Sequence, residues 1–179
     1  MSNYQFTDQF RLIYNKAVDQ YANGQRGAET FLNEEENTFL AANGIKAQHL
    51  YDYAEDATNY GDPTYDRALG IELVRRDYFL NIQNGEASDV VADDSTWPSK
   101  GETVRGIEWL PRILPKARAK LRGELPSAVM YACGGDRRFF MSNDIEPSEF
   151  LSLIWRHGDG DDDDEAIGAW VEQRVKSKA

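Results

Sequence analysis

Cysteine and histidine are scarce in this chain, which has one cysteine and two histidines among 179 residues. The single cysteine, Cys133, excludes an intramolecular disulfide and is typical of a protein from a reducing compartment. No apolar run approaches the roughly 20 residues that a transmembrane helix requires. The first residues carry neither the basic segment nor the apolar segment of a secretion signal. These absences predict a cytoplasmic protein without a membrane partner.

Basic residues are the minority of the charges and are unevenly placed. The chain has 20 Lys and Arg against 31 Asp and Glu, a net charge of −11. Nine of the cations and only four of the acids lie in residues 100–138. A net-acidic protein repels the phosphate backbone, so no nucleic-acid partner is expected. The basic segment is suited to one anionic group or an acidic protein partner, or to pairing with acidic residues of its own chain, and we favour the last interpretation.

Apolar residues recur with the period of a helix along most of the sequence. The pattern, with its glycine and proline boundaries, predicts helices over about 6–21, 29–43, 47–60, 63–83, 112–122, 136–143, 147–157 and 163–176. Pro115 predicts that the fifth helix begins late or bends. Residues 128–133 are too short a run to assign and are compatible with an extended segment. The sequence therefore predicts an all-α protein.

Two halves of the chain share a pattern when the sequence is shifted by 100 positions. Residues 86–106, rich in Ser, Asp, Gly and Pro, are predicted to be a linker between a helical unit at 1–85 and another at 107–179. Under this shift Ile13, Lys16, Ala17, Phe39, Asn43 and Ile45 fall on Ile113, Lys116, Ala117, Phe139, Asn143 and Ile145. The agreement predicts an internal duplication packed as a pseudo-twofold bundle. The alternative is coincidence between ordinary amphipathic helices.

Several cations are candidates for a ligand-binding groove. Arg75 and Arg76 interrupt the most apolar predicted helix, where a charge needs a partner or a polar cavity. Together with Arg112, Lys116 and Arg137 they predict a cationic groove for an anionic ligand or an acidic partner. For Arg75 and Arg76 the alternative is a structural ion-pair network with the carboxylates of Glu55 and Asp56. The resulting hypothesis is a non-catalytic binding or interaction module.

Cys133 and Asp136 are the candidate catalytic residues. A thiol beside the glycine pair 134–135 and a predicted helix start is placed for use as a nucleophile or a redox thiol. Such a thiol needs a base, and the only histidines are His49 and His157. The alternative is a small buried apolar side chain before a glycine turn. The sequence leaves open whether the protein is an enzyme.

Two acidic groupings fail as metal sites. His49, Asp52 and Glu55 share a helix face but lack a second histidine nearby. The acidic run 159–165 lacks glycine and glutamate at the sixth and twelfth places of the calcium-binding loop, which fall on Asp164 and Trp170. We interpret the run as a solvated loop that caps the last helix. No metal and no cofactor are predicted.

One stretch resembles a known family. The motif Gly-Ile-x-Trp-Leu-Pro-Arg at 106–112, the run Lys-Ala-Arg-Ala-Lys-Leu-x-Gly at 116–123 and the string Tyr-x-Cys-x-x-Asp-Arg-x-Phe at 131–139 carry the resemblance. They resemble a bacterial family known only as a domain of unknown function, over about residues 104–175. The N-terminal half resembles the leader of longer members. The resemblance implies a cytoplasmic helical protein and no particular activity, cofactor or catalytic residue.

Overall fold

The computed structural model describes residues 1–158 and 160–177, and over these residues the chain is mostly helical. It divides into two compact units, Met1–Ala87 and Ser88–Ala179, called unit 1 and unit 2 below. The described residues contain eight α-helices and a single pair of two-residue strands. The predicted all-α fold class is confirmed. The first residue of the acidic run, Asp159, lies outside the described residues.

Unit 1 consists of four helices and one short 3₁₀ turn, Ala28–Thr30. The helices are α1 (Asn3–Ala22), α2 (Glu34–Ala41), α3 (Ala47–Tyr60) and α4 (Tyr65–Asn81). The second helix begins at Glu34, later than predicted. The reason is a capping box, in which Asn33 Oδ1 accepts from the amide of Glu36 while Glu36 Oε2 accepts from the amide of Asn33, both at 2.8 Å. This reciprocal pair fixes the first turn of α2.

Aromatic side chains form much of the core of unit 1. The rings of Phe6 and Phe10 stack with centroids 5.5 Å apart, and Phe39 stacks on Phe6 at 5.8 Å. Tyr14 is also buried, and its hydroxyl donates to the carbonyl of Pro63 at 2.7 Å. The periodic positions recognised in the sequence are therefore the ones that α1 buries against the rest of the unit.

Unit 2 consists of a short hairpin followed by four helices. Its elements are a 3₁₀ turn (Asp94–Thr96), β1 (Thr103–Val104), β2 (Ile107–Glu108), α5 (Leu110–Arg122), α6 (Gly134–Asn143), α7 (Pro147–Arg156) and α8 (Asp161–Ser177). Most of the predicted linker belongs to this unit. The amide of Ala92 donates to the carbonyl of Glu124 at 2.9 Å, and Ser88 Oγ donates to the Glu124 carboxylate at 2.9 Å. Because the segment is held by hydrogen bonds, its sequence shows no periodic pattern of apolar residues. It was therefore predicted to be a linker.

Helix α5 differs in two ways from its prediction. It begins at Leu110 and continues through Pro115 to Arg122. Three of its cations, Lys116, Arg118 and Lys120, are buried, with 2–9% of their surface exposed. Long cationic side chains can be buried where partners satisfy the charge, and the sequence pattern does not show this burial.

Helix α6 begins earlier than predicted. Its N-cap residue is Cys133 and its first residue is Gly134, whereas the sequence pattern predicted a helix from about residue 136. Asp136 is the third residue of the helix and is fully buried. The preceding segment, 128–133, consists of turns and irregular backbone rather than a strand. Ala132 within it has a φ of 65°, which turns the chain into the helix.

Several local interactions recur in the two units at an offset of 100 residues. Asn43 Nδ2 donates to the Phe39 carbonyl at 2.7 Å, and Asn143 Nδ2 donates to the Phe139 carbonyl at 2.7 Å. Lys16 pairs with Glu36 at 2.6 Å, as Lys116 pairs with Asp136 at 2.6 Å. The helix order is also the same. Internal duplication and its pseudo-twofold packing remain predictions, which these equivalences support at the level of each unit.

Candidate functional site

The carboxylate of Asp136 is the centre of a buried polar group in unit 2. Its Oδ2 atom accepts from Lys116 Nζ at 2.6 Å and from the amide of Ala132 at 2.9 Å. Its Oδ1 atom accepts from Trp109 Nε1 at 2.9 Å. A buried carboxylate is tolerated only when it is paired and hydrogen-bonded, and three donors meet that condition here.

The local structure explains why these side chains meet. Lys116 lies in the middle of α5, Trp109 is the N-cap residue of the same helix, and Asp136 lies in the first turn of α6. A negative charge in the first turn is favoured by the helix dipole. Trp109 has a φ of 70°, an uncommon conformation for a side chain of this size. Backbone strain of this kind is frequent at functional sites.

Cys133 lies beside this carboxylate. Its Sγ atom is 3.2 Å from Lys116 Nζ, and the residue is partly exposed. The structure thus brings together three residues that the sequence nominated separately: Cys133 and Asp136 as candidate catalytic residues and Lys116 as a candidate ligand-binding residue. We call Trp109, Lys116, Cys133 and Asp136 the Asp136 cluster.

Neither histidine has a described contact with the thiol. His157 Nδ1 is 3.9 Å from Asp163 Oδ1 in unit 2, and His49 Nδ1 is 3.4 Å from Glu72 Oε1 in unit 1. The polar neighbour that the structure gives the thiol is Lys116, whose ammonium is already paired with Asp136. A paired ammonium is a proton donor and an electrostatic partner rather than a general base.

A cavity of about 560 Å³ opens next to the Asp136 cluster. Its lining includes the indole of Trp109 and residues of the hairpin, α6 and α8: Lys100, Gly101, Gly106, Ile107, Glu108, Trp109, Gly135, Arg138, Phe139, Ser142, Asn143 and Val175. Gly135 is required here, because a Cβ at this position would lie 2.3 Å from Cζ2 of Trp109. The missing side chain allows the indole to pack against the first turn of α6 and to form a wall of the cavity.

The cavity has two cationic side chains and one carboxylate in its lining. Lys100 and Arg138 are exposed, and neither has an ion pair within the described part of the chain. Glu108 is the acidic residue of the lining. The volume lies within the range of roughly 300–1,000 Å³ that is usual for small-molecule sites. The arrangement suits a small ligand with an anionic group.

Arg112 and Arg137, two of the predicted ligand-binding residues, are held by backbone carbonyls in unit 2. Arg112 Nη1 donates to the Pro98 carbonyl at 2.9 Å, and Arg137 Nη1 donates to the Ala132 carbonyl at 3.1 Å. Neither belongs to the lining of the cavity. Their positions indicate that they fix the loops around the site.

Arg75 and Arg76 lie in α4 of unit 1 and are buried. The guanidinium of Arg76 donates to Asn43 Oδ1 at 2.6 Å, to the Met1 carbonyl at 3.0 Å and to Asn3 Oδ1 at 2.5 Å. Within the described residues these amide and carbonyl oxygens replace the carboxylates of Glu55 and Asp56 that the sequence suggested for it. Glu55 instead accepts from the hydroxyl of Tyr21 at 2.8 Å. A groove that combines the arginines of the two units remains a prediction.

At least four of the nine cations of the basic segment pair with acidic residues of the same unit. Arg105 contacts Glu165 and Glu172, and Arg118 contacts Asp164. For these cations the structure agrees with the favoured interpretation, in which the basic segment pairs with acidic residues of its own chain. Lys100 and Arg138 are the two cations of this segment that line the cavity, where they can contact a ligand.

Tyr131 completes the buried surroundings of Asp136. Its hydroxyl donates to the Pro147 carbonyl at 2.9 Å. Burial, with a smaller contribution from the Asp136 charge, raises the pKa of Tyr131 well above its ordinary value. The phenol is therefore a permanent neutral donor at physiological pH and not a proton-transfer group.

The cavity was not found from the sequence. In the sequence Trp109 is marked only by the motif at 106–112, and no sequence pattern distinguishes Lys100 and Arg138 from the other cations. The one available signal in the sequence was the glycine pair 134–135. The left-handed backbone conformation of Trp109, which packs against Gly135, is visible only in the structure. Among the described residues there is no group of three or more His, Cys, Asp or Glu side chains that could hold a metal ion.

None of the described helices combines the length and apolar character needed to cross a bilayer.

Comparison with known proteins gives a family match for part of the chain. No curated protein and no solved structure matches the chain. Residues 95–179, which include both the Asp136 cluster and the cavity, match the family described as Domain of unknown function (DUF5069).

Proposed function

We propose that unit 2 is a non-catalytic binding module that takes a small anionic ligand into the cavity beside Trp109. The observation that carries this proposal is the cavity itself, with Lys100 and Arg138 in its lining next to an aromatic wall. Small-molecule sites combine mostly apolar walls with a few charged groups that orient the ligand. The cavity size favours a small molecule over an acidic protein partner.

The Asp136 cluster has a supporting role in this proposal. Asp136 holds the indole of Trp109 through its Nε1 atom, and Lys116 holds Asp136. The wall of the cavity is therefore fixed before a ligand arrives. A preorganised site loses less conformational entropy on binding than a mobile one.

A titration with phenyl phosphate tests the proposal, because this probe combines an aromatic ring with a dianion. We expect saturable binding by isothermal titration calorimetry at low ionic strength, with inorganic phosphate binding more weakly. Arg138→Glu is expected to abolish binding, since it replaces a cation of the lining by an anion. Arg156→Glu is the matched control, because Arg156 is exposed at the end of α7 and is not part of the lining.

Two results would refute the proposal. One is binding of phenyl phosphate that is equally weakened by Arg138→Glu and Arg156→Glu, which would indicate only a general effect of charge. The other is the absence of binding by phenyl phosphate, phosphate and benzoate to a wild-type protein whose circular dichroism shows the expected helical fold.

A further inference from the structure

The end of the second helix of unit 1 holds a guanidinium group of the chain itself. Asn43 lies just after α2, and its Oδ1 atom accepts from Arg76 Nε at 2.6 Å. The Arg76 guanidinium also lies over the ring of Phe6, 5.0 Å from its centroid, and Phe6 stacks on Phe39. A guanidinium is a planar donor that is attracted to the face of an aromatic ring, so an amide oxygen beside aromatic rings suits it. Unit 1 therefore shows how this chain binds a guanidinium.

The corresponding place in unit 2 has the same acceptor and lines the cavity. Asn143 is the last residue of α6, and its Nδ2 atom donates to the carbonyl four residues earlier, as Asn43 does in unit 1. Asn143 is only 8% exposed, and no group in the part of the chain that the structure describes donates to its Oδ1 atom. Asn143 and Phe139 both belong to the lining. Since buried polar groups are normally hydrogen-bonded, this oxygen is available to a donor on a ligand.

The last helix of unit 2 explains why no arginine of the chain reaches this oxygen. In unit 1 the donor comes from the last helix, α4, whereas in unit 2 the last helix, α8, contributes Val175 to the cavity lining. The neighbouring Arg174 contacts Glu149 instead and is not part of the lining. Valine is shorter than arginine and carries no donor. The space beside Asn143 is therefore part of the cavity.

Glu108 gives the cavity a negative charge beside its two cations. Its side chain is exposed, lines the cavity and makes no ion pair with any residue that the structure describes. A carboxylate in the lining weakens the binding of a simple anion, but it is a partner for a cationic group on the same ligand. The lining thus offers Lys100 and Arg138 to an anion, and Glu108 and Asn143 to a cation. The indole of Trp109 is the ring type on which cations bind best.

We propose that the ligand of the cavity is a small guanidino acid. Its guanidinium contacts Asn143 and Glu108, and its carboxylate contacts Lys100 and Arg138. This inference rests on the proposed function for the anionic end of the ligand and adds the cationic end. The observation that carries it is the acceptor that Asn143 presents to the cavity, which in unit 1 is the acceptor for an arginine of the chain.

Isothermal titration calorimetry of the full-length protein with 4-guanidinobutyrate and 4-ureidobutyrate tests the inference. The two probes have the same length and the same carboxylate, but the ureido group is neutral. We expect 4-guanidinobutyrate to bind roughly 10-fold more tightly, because hydrogen bonds from a charged donor are about twice as strong as those from a neutral one. Butyrate, which has neither group, is expected to bind more weakly than both.

Glu108→Gln separates the cationic end of the ligand from its anionic end. The affinity for 4-guanidinobutyrate is expected to fall several-fold, because the guanidinium loses its counter-charge. The affinity for phenyl phosphate is expected to rise, because a negative charge near the dianion is removed. Asp89→Asn is the matched control, since Asp89 is an exposed acid of unit 2 outside the lining, and it is expected to leave both affinities close to those of the wild type.

Asn143→Ala removes the acceptor itself. It is expected to weaken the binding of 4-guanidinobutyrate more than that of phenyl phosphate, which has no N–H group to donate. All four tryptophans lie in unit 2, so their fluorescence during urea unfolding shows whether this variant is folded. If it is not, Glu108→Gln decides the question, because Glu108 is exposed and makes no contact on which the fold depends among the described residues.

The possible outcomes distinguish this inference from the proposed function. Binding of phenyl phosphate together with equal affinities for the guanidino and ureido probes would overturn the inference and leave the proposed function standing. A Glu108→Gln protein with unchanged affinity for 4-guanidinobutyrate would overturn it as well. Selective binding of 4-guanidinobutyrate without binding of phenyl phosphate, phosphate or benzoate would support the guanidinium contacts and refute the proposed function. Absence of binding by every probe would overturn both.

Discussion

Lys116 and Asp136 form an ion pair of 2.6 Å in which both side chains are buried, with 8% and 1% of their surface exposed. The equivalent pair in unit 1, Lys16 and Glu36, has the same length but is 37% and 16% exposed. The same interaction therefore occurs in two different solvent environments within one chain. This difference determines what each pair contributes to stability.

Lys116→Met is expected to destabilise unit 2 by about 3–5 kcal/mol, because it leaves the Asp136 carboxylate buried without its counter-ion. Lys16→Met is expected to change the stability of unit 1 by no more than about 1 kcal/mol, since Glu36 stays partly solvated. Hydrogen exchange with mass spectrometry, resolved by peptide, measures both units in the same sample. Equal protection losses around α6 in the first variant and α2 in the second would contradict this expectation. The double variant Lys116→Met, Asp136→Asn is expected to recover part of the loss.

The fold of the chain was largely predictable from its sequence. Helix formation depends on local periodicity and boundary residues, and these predicted, in the correct order, the eight helices that the described residues contain. Boundaries were less predictable where a specific contact sets them. The start of α2 depends on the capping box of Asn33 and Glu36, and the start of α6 depends on a positive φ at Ala132.

The candidate site was only partly predictable. Cys133 and Asp136 were found because a thiol, two glycines and an acid adjoin in the sequence. Lys116 was found as a member of a basic helix, but its burial was not expected, because burial depends on a carboxylate 20 positions away. The cavity depends on the packing of Trp109 over Gly135, a tertiary contact with no sequence period.

Gly135→Ala is expected to destabilise unit 2 by about 1–3 kcal/mol, because its Cβ would lie 2.3 Å from the Trp109 ring. The indole would have to move away from the wall of the cavity, so binding of phenyl phosphate is expected to weaken as well. Gly134→Ala is the matched control, since its Cβ would lie 3.7 Å from the nearest atom, Nη2 of Arg137. Tryptophan fluorescence during urea unfolding measures the stability of both variants. A Gly135→Ala protein with wild-type stability would show that the indole is not confined as described.

Two buried tyrosines are expected to resist ionisation at alkaline pH. Burial, assisted by the charge of Asp62, raises the pKa of Tyr14 to about 12 from an ordinary value of 10.0. Burial also raises the pKa of Tyr131. The folded state favours the neutral phenol in both cases, so their contribution to stability is complete below pH 10.

That contribution declines as the pH rises above 10, because the unfolded chain then releases the phenolic proton before the folded protein does. For Tyr14 it is lost as the pH passes through about 12. Phenolate absorbance measured against pH is expected to show a late component that coincides with unfolding. Tyr14→Phe and Tyr131→Phe are each expected to reduce this component, since both phenols are buried. A late component that is undiminished in the double Phe variant would contradict the assignment.

Asn43 and Asn143 make the same hydrogen bond to the carbonyl four residues earlier, and Asn43 also holds a buried cation. Asn43 Oδ1 accepts from Arg76 Nε at 2.6 Å. Asn43→Ala leaves this buried guanidinium one acceptor short, a loss of about 1.5–3 kcal/mol for a hydrogen bond to a charged group. Asn143→Ala loses only its bond to Phe139, worth about 0.5–1.5 kcal/mol.

Hydrogen exchange of peptides from α4 and α6 measures the two losses separately in units 1 and 2. The larger loss of protection is expected in α4 of the Asn43→Ala protein, because Arg76 belongs to that helix. Asn43→Asp is the informative second variant, since a carboxylate retains an acceptor for Arg76 and is expected to restore protection in α4. If Asn43→Asp and Asn43→Ala lose protection equally, Arg76 does not depend on this acceptor, and the interaction that anchors α4 to the end of α2 must be assigned to other contacts.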